Sequence, residues 1–250
     1  MKIVVIGGTG LIGSKVVSCL EGKGHEAVAA SPDSGVNTLT GEGLAEVLVG
    51  AETVIDVSNS PSFDDEPVMR FFTTSTTNLL AAEAEAGVRH HVAVSIVGAD
   101  RLPESGYLRA KVAQEKLITD SSIPYTIIHA TQFFEFAMSI ADDATDGDTV
   151  RLPHVLFQPM ASDDVAAAVC EFSQGTAADD VIEIAGPEQF HFDEFIQQAL
   201  TAKGDPRSVV ADPKAQYFGT ELEEDSLVPA NPARLGEIRF EDWQAQSATA

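Results

Sequence analysis

The chain has 250 residues, 44% of them apolar, which suits one large domain with a core of its own. Its 15 Lys and Arg stand against 39 Asp and Glu, a formal net charge of −24. That balance argues against nucleic acid and anionic lipid as partners, since both need a basic face. No apolar run is long enough to cross a membrane, and Met1-Lys2-Ile3-Val4-Val5 enters apolar sequence without a cleavage pattern. Cys19 and Cys170 lie far apart with no Cys-x-x-Cys spacing, so no disulfide or zinc site is expected. A reducing, cytoplasmic setting follows from that reading. The histidines show no metal-binding spacing, and no metal is expected.

Short apolar runs alternate with longer helical patterns. Lys2–Ile6 reads as a strand, and the apolar spacing of 11–21 predicts a helix. A second strand over Glu26–Ala30 is broken by Ser31-Pro32-Asp33-Ser34-Gly35, followed by a short strand near Val36 and a helix near 43–49. Thr53–Val57 reads as a strand and 67–87 as a long helix capped by Gly87. Strands are expected at 91–95 and 125–129 with a helix at 107–119 between them. This alternation predicts an α/β, Rossmann-type doubly wound parallel sheet. After residue 130 the rhythm loosens. Helices are expected at 133–140, 164–172 and 192–203, a strand at 181–185, and loops over 204–250 with a frayed tail from Gln244. Residues 1–250 therefore read as one domain, with about 130–250 adding a small substrate lobe.

Between the first strand and first helix lies Gly7-Gly8-Thr9-Gly10-Leu11-Ile12-Gly13. Gly7 permits the tight turn, Gly10 lets a pyrophosphate reach the backbone, and Gly13 lets the helix pack closely. The helix N-terminus offers free N–H groups and positive dipole to phosphate. The segment therefore reads as a dinucleotide site. The end of the second strand, where NAD enzymes carry an acidic residue for the ribose, holds Ala30 and Ser31. Ser31 and Ser34 can donate to a 2′-phosphate, which favours NADP, with NAD as the alternative.

Tyr107 and Lys111 form Tyr-x-x-x-Lys, one face of a helix, and Ser95 ends a strand twelve positions earlier. A carbonyl accepting hydride needs a proton donor, and an ammonium near a phenol lowers its pKa. Alternatively, Lys111 pairs with Glu115 one turn on. Phe133, Phe134 and Phe136 either wall a cavity or fill core.

With the glycine turn, these residues resemble the short-chain dehydrogenase/reductase superfamily, in its extended and atypical branches. Asp163-Asp164-Val165-Ala166 and Ile184-Ala185-Gly186-Pro187-Glu188 are similar to its NmrA-like, NAD(P)-binding subgroup. The resemblance implies an NAD(P)H-dependent oxidoreductase acting on a carbonyl or related small electrophile. It implies catalytic roles for Ser95, Tyr107 and Lys111, with Lys111 also on the nicotinamide ribose. It places Ser58, Asn59 and Ser60, after a fourth strand, beside the adenosine. His129, Thr131, Gln132 and Phe133 would shape the substrate pocket. The rival readings are a non-catalytic dinucleotide sensor and a nucleotide-sugar epimerase or dehydratase.

Overall fold

A computed structural model describes residues 1–247. The elements run β1 (Lys2–Ile6), α1 (Leu11–Gly22), β2 (Glu26–Ala30), α2 (Leu44–Val47), β3 (Thr53–Asp56), α3 (Asp65–Ala86), β4 (His90–Ile96), α4 (Gly106–Thr119) and β5 (Tyr125–Ala130). The second half adds α5 (Ala137–Asp143), β6 (Thr145–Asp146), β7 (Thr149–Leu152), β8 (Leu156–Phe157), α6 (Ser162–Phe172), β9 (Asp180–Ala185), β10 (Phe190–His191) and α7 (Phe192–Lys203). The chain ends with β11 (Ser208–Ala211), β12 (Gln216–Tyr217), β13 (Thr220–Glu221), β14 (Arg234–Leu235) and α8 (Phe240–Ser247).

Seven strands form one sheet in the order β14-β9-β5-β4-β3-β1-β2, and every pairing in it is parallel. The fold is Rossmann-type, as the alternation predicts. Its central strands are apolar on both faces because helices cover both. Ile3, Val5, Ile55, Val92 and Ile128 pack under α1 and α6. Val4, Ile6 and Val54 meet α2 and α3, and Ala93 and Ile127 meet α3 and α4. Each fully buried aliphatic side chain contributes roughly 1.5–3 kcal/mol. Another apolar cluster joins α5, α7, α8 and the small β6–β7–β11 sheet, around Phe134, Phe157, Phe192 and Phe195.

Four expectations are corrected. No strand forms near Val36. Pro32–Ser34 is a 3-10 turn closed by Gly35 in the left-handed region, and only Asn37 and Glu42 bridge. Thr53–Asp56 is therefore the third strand, not the fourth. Residues 204–250 are not only loops: β11 lies parallel to β7, and β14 joins the main sheet. Their apolar residues are too few for a periodic signal, and long-range pairing holds them. Gln244–Ser247 belongs to α8, and residues 248–250 lie outside the described residues.

The fourth correction concerns the cysteines. Cys19 on α1 and Cys170 on α6 are disulfide-bonded, with Cα atoms 6.3 Å apart. The two helices lie side by side on one sheet face, which a separation of 151 residues conceals in the sequence. The cysteine argument for a reducing compartment therefore fails. Among the described residues, no helix is long and apolar enough to cross a membrane.

Candidate functional site

The strand order reverses at β1, with β2 on one side and β3 on the other. Open parallel sheets hold ligands outside the carboxyl ends of the strands at such a point. Gly7 follows β1 with φ +77°, and a Cβ there would lie 2.9 Å from the Ser58 backbone after β3. Gly10 is the N-cap of α1, and no side chain caps the helix. Its first-turn N–H groups thus face outward for a ligand. A Cβ on Gly10 would meet only the Gly7 carbonyl, at 3.3 Å. A Cβ on Gly13 would lie 2.2 Å from that same carbonyl and 2.7 Å from Gly8 Cα. Gly10 thus leaves space for a ligand, whereas Gly13 lets the helix pack against the turn. Gly8, absent from the expected set, is pressed against Ala29 of β2, where a Cβ would sit 2.7 Å from Cα.

A cavity of about 640 Å³ opens from this turn. Gly7, Thr9, Gly10, Leu11, Ile12, Ser31, Ser58, Asn59, Ser95, Tyr107, Lys111, Thr131, Gln132 and Phe133 all line it. Gly13, Ser34, Ser60 and His129 do not. The Ser34 hydroxyl is used locally, accepting from Ser31 N and donating to Ser31 O, both at 2.9 Å. Ser60 Oγ accepts from Ser62 N at 3.3 Å. His129 Nε2 is bonded to Glu115 Oε1 at 3.0 Å. Ser34, expected at phosphate, Ser60, expected beside the adenosine, and His129, expected in the pocket, thus lie outside the cavity lining, each with a local partner.

The lining residues Thr131 and Gln132 each bury a side-chain oxygen with no hydrogen-bond partner among the described residues. Such atoms are costly in isolation, and a polar ligand would satisfy them. Together with the uncapped helix end and the space at Gly10, they fit a dinucleotide.

At the far end of the cavity, α4 presents Tyr107 and Lys111. Ser105 caps this helix by accepting from Leu108 N, and Arg109 ties it to Asp65 of α3 at 2.7 Å. Tyr107 donates to Asn59 Oδ1 at 3.1 Å. Burial pushes its phenol up to about 12, contrary to the expected lowering by Lys111. Lys111 points inward instead. Its Nζ donates to Val94 O at 2.9 Å and to Gln114 Oε1, and lies 4.5 Å from the Phe72 ring centre. Burial pulls this ammonium down to about 8, although Asp56 and Glu115 act to raise it. Gln114 links onward to Asp56 at 3.0 Å, and Asp56 holds Ser58 through N at 3.0 Å and Oγ at 2.6 Å.

Ser95 faces the cavity, but its hydroxyl donates to Glu115 Oε1. A hydroxyl has one hydrogen, so Ser95 meets the cavity as an acceptor. Burial alone would raise Glu115. Its bonds from His129 and Ser95 and the Lys111 charge outweigh that and hold the carboxyl below the usual range. The pairing of Lys111 with Glu115 is thus electrostatic, not a direct bond. The phenylalanines divide: Phe133 and Phe136 stack at 5.5 Å on the cavity wall, while Phe134 is buried against Phe195 and Phe240.

The sequence reading also missed Phe71, Tyr217 and Phe218 in the lining. Gly219 was the one local sign of a turn there, and Phe218 before it is not a hairpin residue, so the spacing gave no specific signal.

A family model described as NAD(P)H-binding matches residues 7–172. The photosystem II assembly factor Ycf39 of Synechocystis is 24% identical over 235 residues, covering 86% of this chain and 72% of that protein. An NAD-bound short-chain dehydrogenase/reductase superfamily protein from Agrobacterium tumefaciens superposes with a TM-score of 0.75 at 16% identity. That match covers 100% of this chain and 96% of the other. The dTDP-glucose 4,6-dehydratase DesIV of Streptomyces venezuelae gives 0.74 at 15% identity, with the same coverage. The two structural likenesses reflect the shared fold. The family model spans well over half of the chain, including the glycine turn and α4. This chain therefore belongs to the NAD(P)H-binding family.

Proposed function

We propose that the protein is an NAD(P)H-dependent oxidoreductase that reduces a carbonyl or related small organic electrophile, with Tyr107 as proton donor. The supporting observation is continuity: Tyr107, Lys111 and Ser95 line the same cavity as Gly7 and Gly10. A bound reduced nicotinamide supplies the hydride. Tyr107, with its pKa near 12, holds its proton at neutral pH and releases it only to an oxygen on which negative charge develops. Lys111 lies one helical turn away, still charged at neutral pH, and stabilises the phenolate left behind. Ser95, its hydrogen given to Glu115, accepts from a ribose, amide or substrate donor. The Ser31 hydroxyl in the lining just after β2, where Ala30 and Ser31 stand in place of an acidic residue, favours NADP over NAD.

The test is Tyr107→Phe, assayed with NADPH and a panel of carbonyl compounds. A 10²–10⁴-fold loss of kcat with NADPH still titrating supports the proton-donor role. Full kcat in the variant excludes it.

A second reading is a non-catalytic module that binds the dinucleotide and reports its redox state to a protein partner. Two observations favour it: the Tyr107 hydroxyl is engaged by Asn59, and Ycf39, a similar protein, is named as an assembly factor. It predicts tight NADPH binding with no turnover of any carbonyl compound.

A further inference from the structure

We infer that the substrate end of the cavity takes a flat, uncharged aromatic carbonyl compound, and that Phe218 is its specificity-determining residue. This rests on the oxidoreductase reading and names its substrate class.

The walls there are aromatic: Phe71, Tyr107, Phe133, Phe136, Tyr217 and Phe218 all line the cavity. Among these, Phe136 and Phe218 stay 44% and 39% exposed, and Phe63, which packs on Tyr107 and Phe218, is 54% exposed. Grouped exposed rings of this kind mark a surface that awaits an apolar partner. Lys111 is the only cation in the lining among the described residues, donating to Val94 O and Gln114 Oε1 and lying against the Phe72 face. With Lys111 assigned to the Tyr107 phenolate, no second cation is present in the lining to hold a substrate carboxylate or phosphate, and a net charge of −24 disfavours a further anion.

Phe218 makes the arrangement specific. Strands β12 and β13 pair Tyr217 with Thr220, leaving Phe218 and Gly219 as a two-residue turn. Both residues have positive φ, +49° and +77°. Such turns favour Asn, Asp or Gly at the first position, and an aromatic residue there is strained. Strain of this sort persists where the side chain has a use. Here the Phe218 ring lies over Tyr107, with centroids 5.3 Å apart and planes tilted by 28°. Phe63 flanks Tyr107 at 5.2 Å, and Tyr217 adjoins Phe218 at 4.5 Å. A flat ring entering the cavity stacks within this set, which brings its carbonyl to the Tyr107 hydroxyl.

The test uses the full chain loaded with NADP⁺ and isothermal titration with 2-naphthaldehyde, 2-naphthoate and UDP-glucose. The expected result is binding of the aldehyde, at least tenfold weaker binding of the carboxylate, and none of the nucleotide sugar. Phe218→Gly removes the ring and suits the turn. The relieved backbone strain offsets part of the lost ring packing, so the variant should stay folded with a Tm within a few degrees of the parent, while aldehyde affinity falls roughly three- to tenfold. Equal binding of carboxylate and aldehyde, preference for UDP-glucose, no aldehyde binding, or unchanged affinity in Phe218→Gly would each overturn the inference. Aldehyde binding that depends on Phe218, without NADPH oxidation, would uphold it while defeating the catalytic reading.

Discussion

Replacing Gly10 and Gly13 separately by Ala divides ligand binding from folding within one turn. At Gly10 the backbone is extended, φ −80°, so Ala fits, and its methyl would touch only the Gly7 carbonyl, at 3.3 Å. Folding stability should stay within about 0.5 kcal/mol of the parent. The methyl, however, projects where a pyrophosphate must approach the backbone. An intrusion of that size in a fitted site costs about 1–3 kcal/mol, a roughly five- to 150-fold loss of NADPH affinity. At Gly13 the methyl would sit 2.2 Å from a backbone oxygen that no rotamer change can move. The helix or the turn must shift, at a cost of about 1–3 kcal/mol or more, lowering Tm by several degrees in a chain of this size. NADPH fluorescence titration and thermal melts of both variants provide the assay. Gly10→Ala binding NADPH as tightly as the parent would refute the claim that this turn cradles phosphate.

The pH response of Lys111 gives another prediction. Its ammonium is lost above about 8 in the folded protein, against 10.5 for the free group. NADPH affinity should therefore fall as pH rises through 8, and Lys111→Met should flatten that step. Between about 8 and 10.5 the unfolded chain binds the extra proton, so this group makes folding stability rise with pH there, by about 3 kcal/mol in total. Denaturant titrations of parent and Lys111→Met across that window check the sign. A parent curve no steeper than the variant's contradicts it. Reduction of Cys19–Cys170, which closes a 151-residue separation, should cost about 2–5 kcal/mol in denaturant unfolding. Two free thiols in the native protein without reductant would show that the bond does not form.

Local physics explains what was readable in the sequence. The helix at 192–203 is expected over the span observed, because its apolar spacing lies within it and Gly204 caps it at the next position. The long helix ends at Gly87 for the same reason, with the left-handed φ of +74° that glycine adopts readily. The glycine turn was also legible, because strand, turn and helix are contiguous. What escaped depends on distant segments meeting. Cys19 and Cys170 come together only when α1 and α6 share a sheet face. Ser34 looked available for phosphate, but a reciprocal bond with Ser31 consumes it. Tyr107 and Lys111 do share a helix as the spacing implied. Burial then sets their titration, with Asn59 acting on Tyr107 and with Asp56 and Glu115 acting on Lys111, and of these only Glu115 is near them in sequence.

The central claim is that one cavity holds both the dinucleotide and a carbonyl substrate for hydride transfer. Its most direct test is incubation with NADPH deuterated at the transferring position of C4, an aryl aldehyde, and mass analysis of the product. The account predicts deuterium on the former carbonyl carbon, and loss of that product in Tyr107→Phe. Tight binding of the labelled cofactor with no labelled alcohol from any carbonyl compound tried would contradict it.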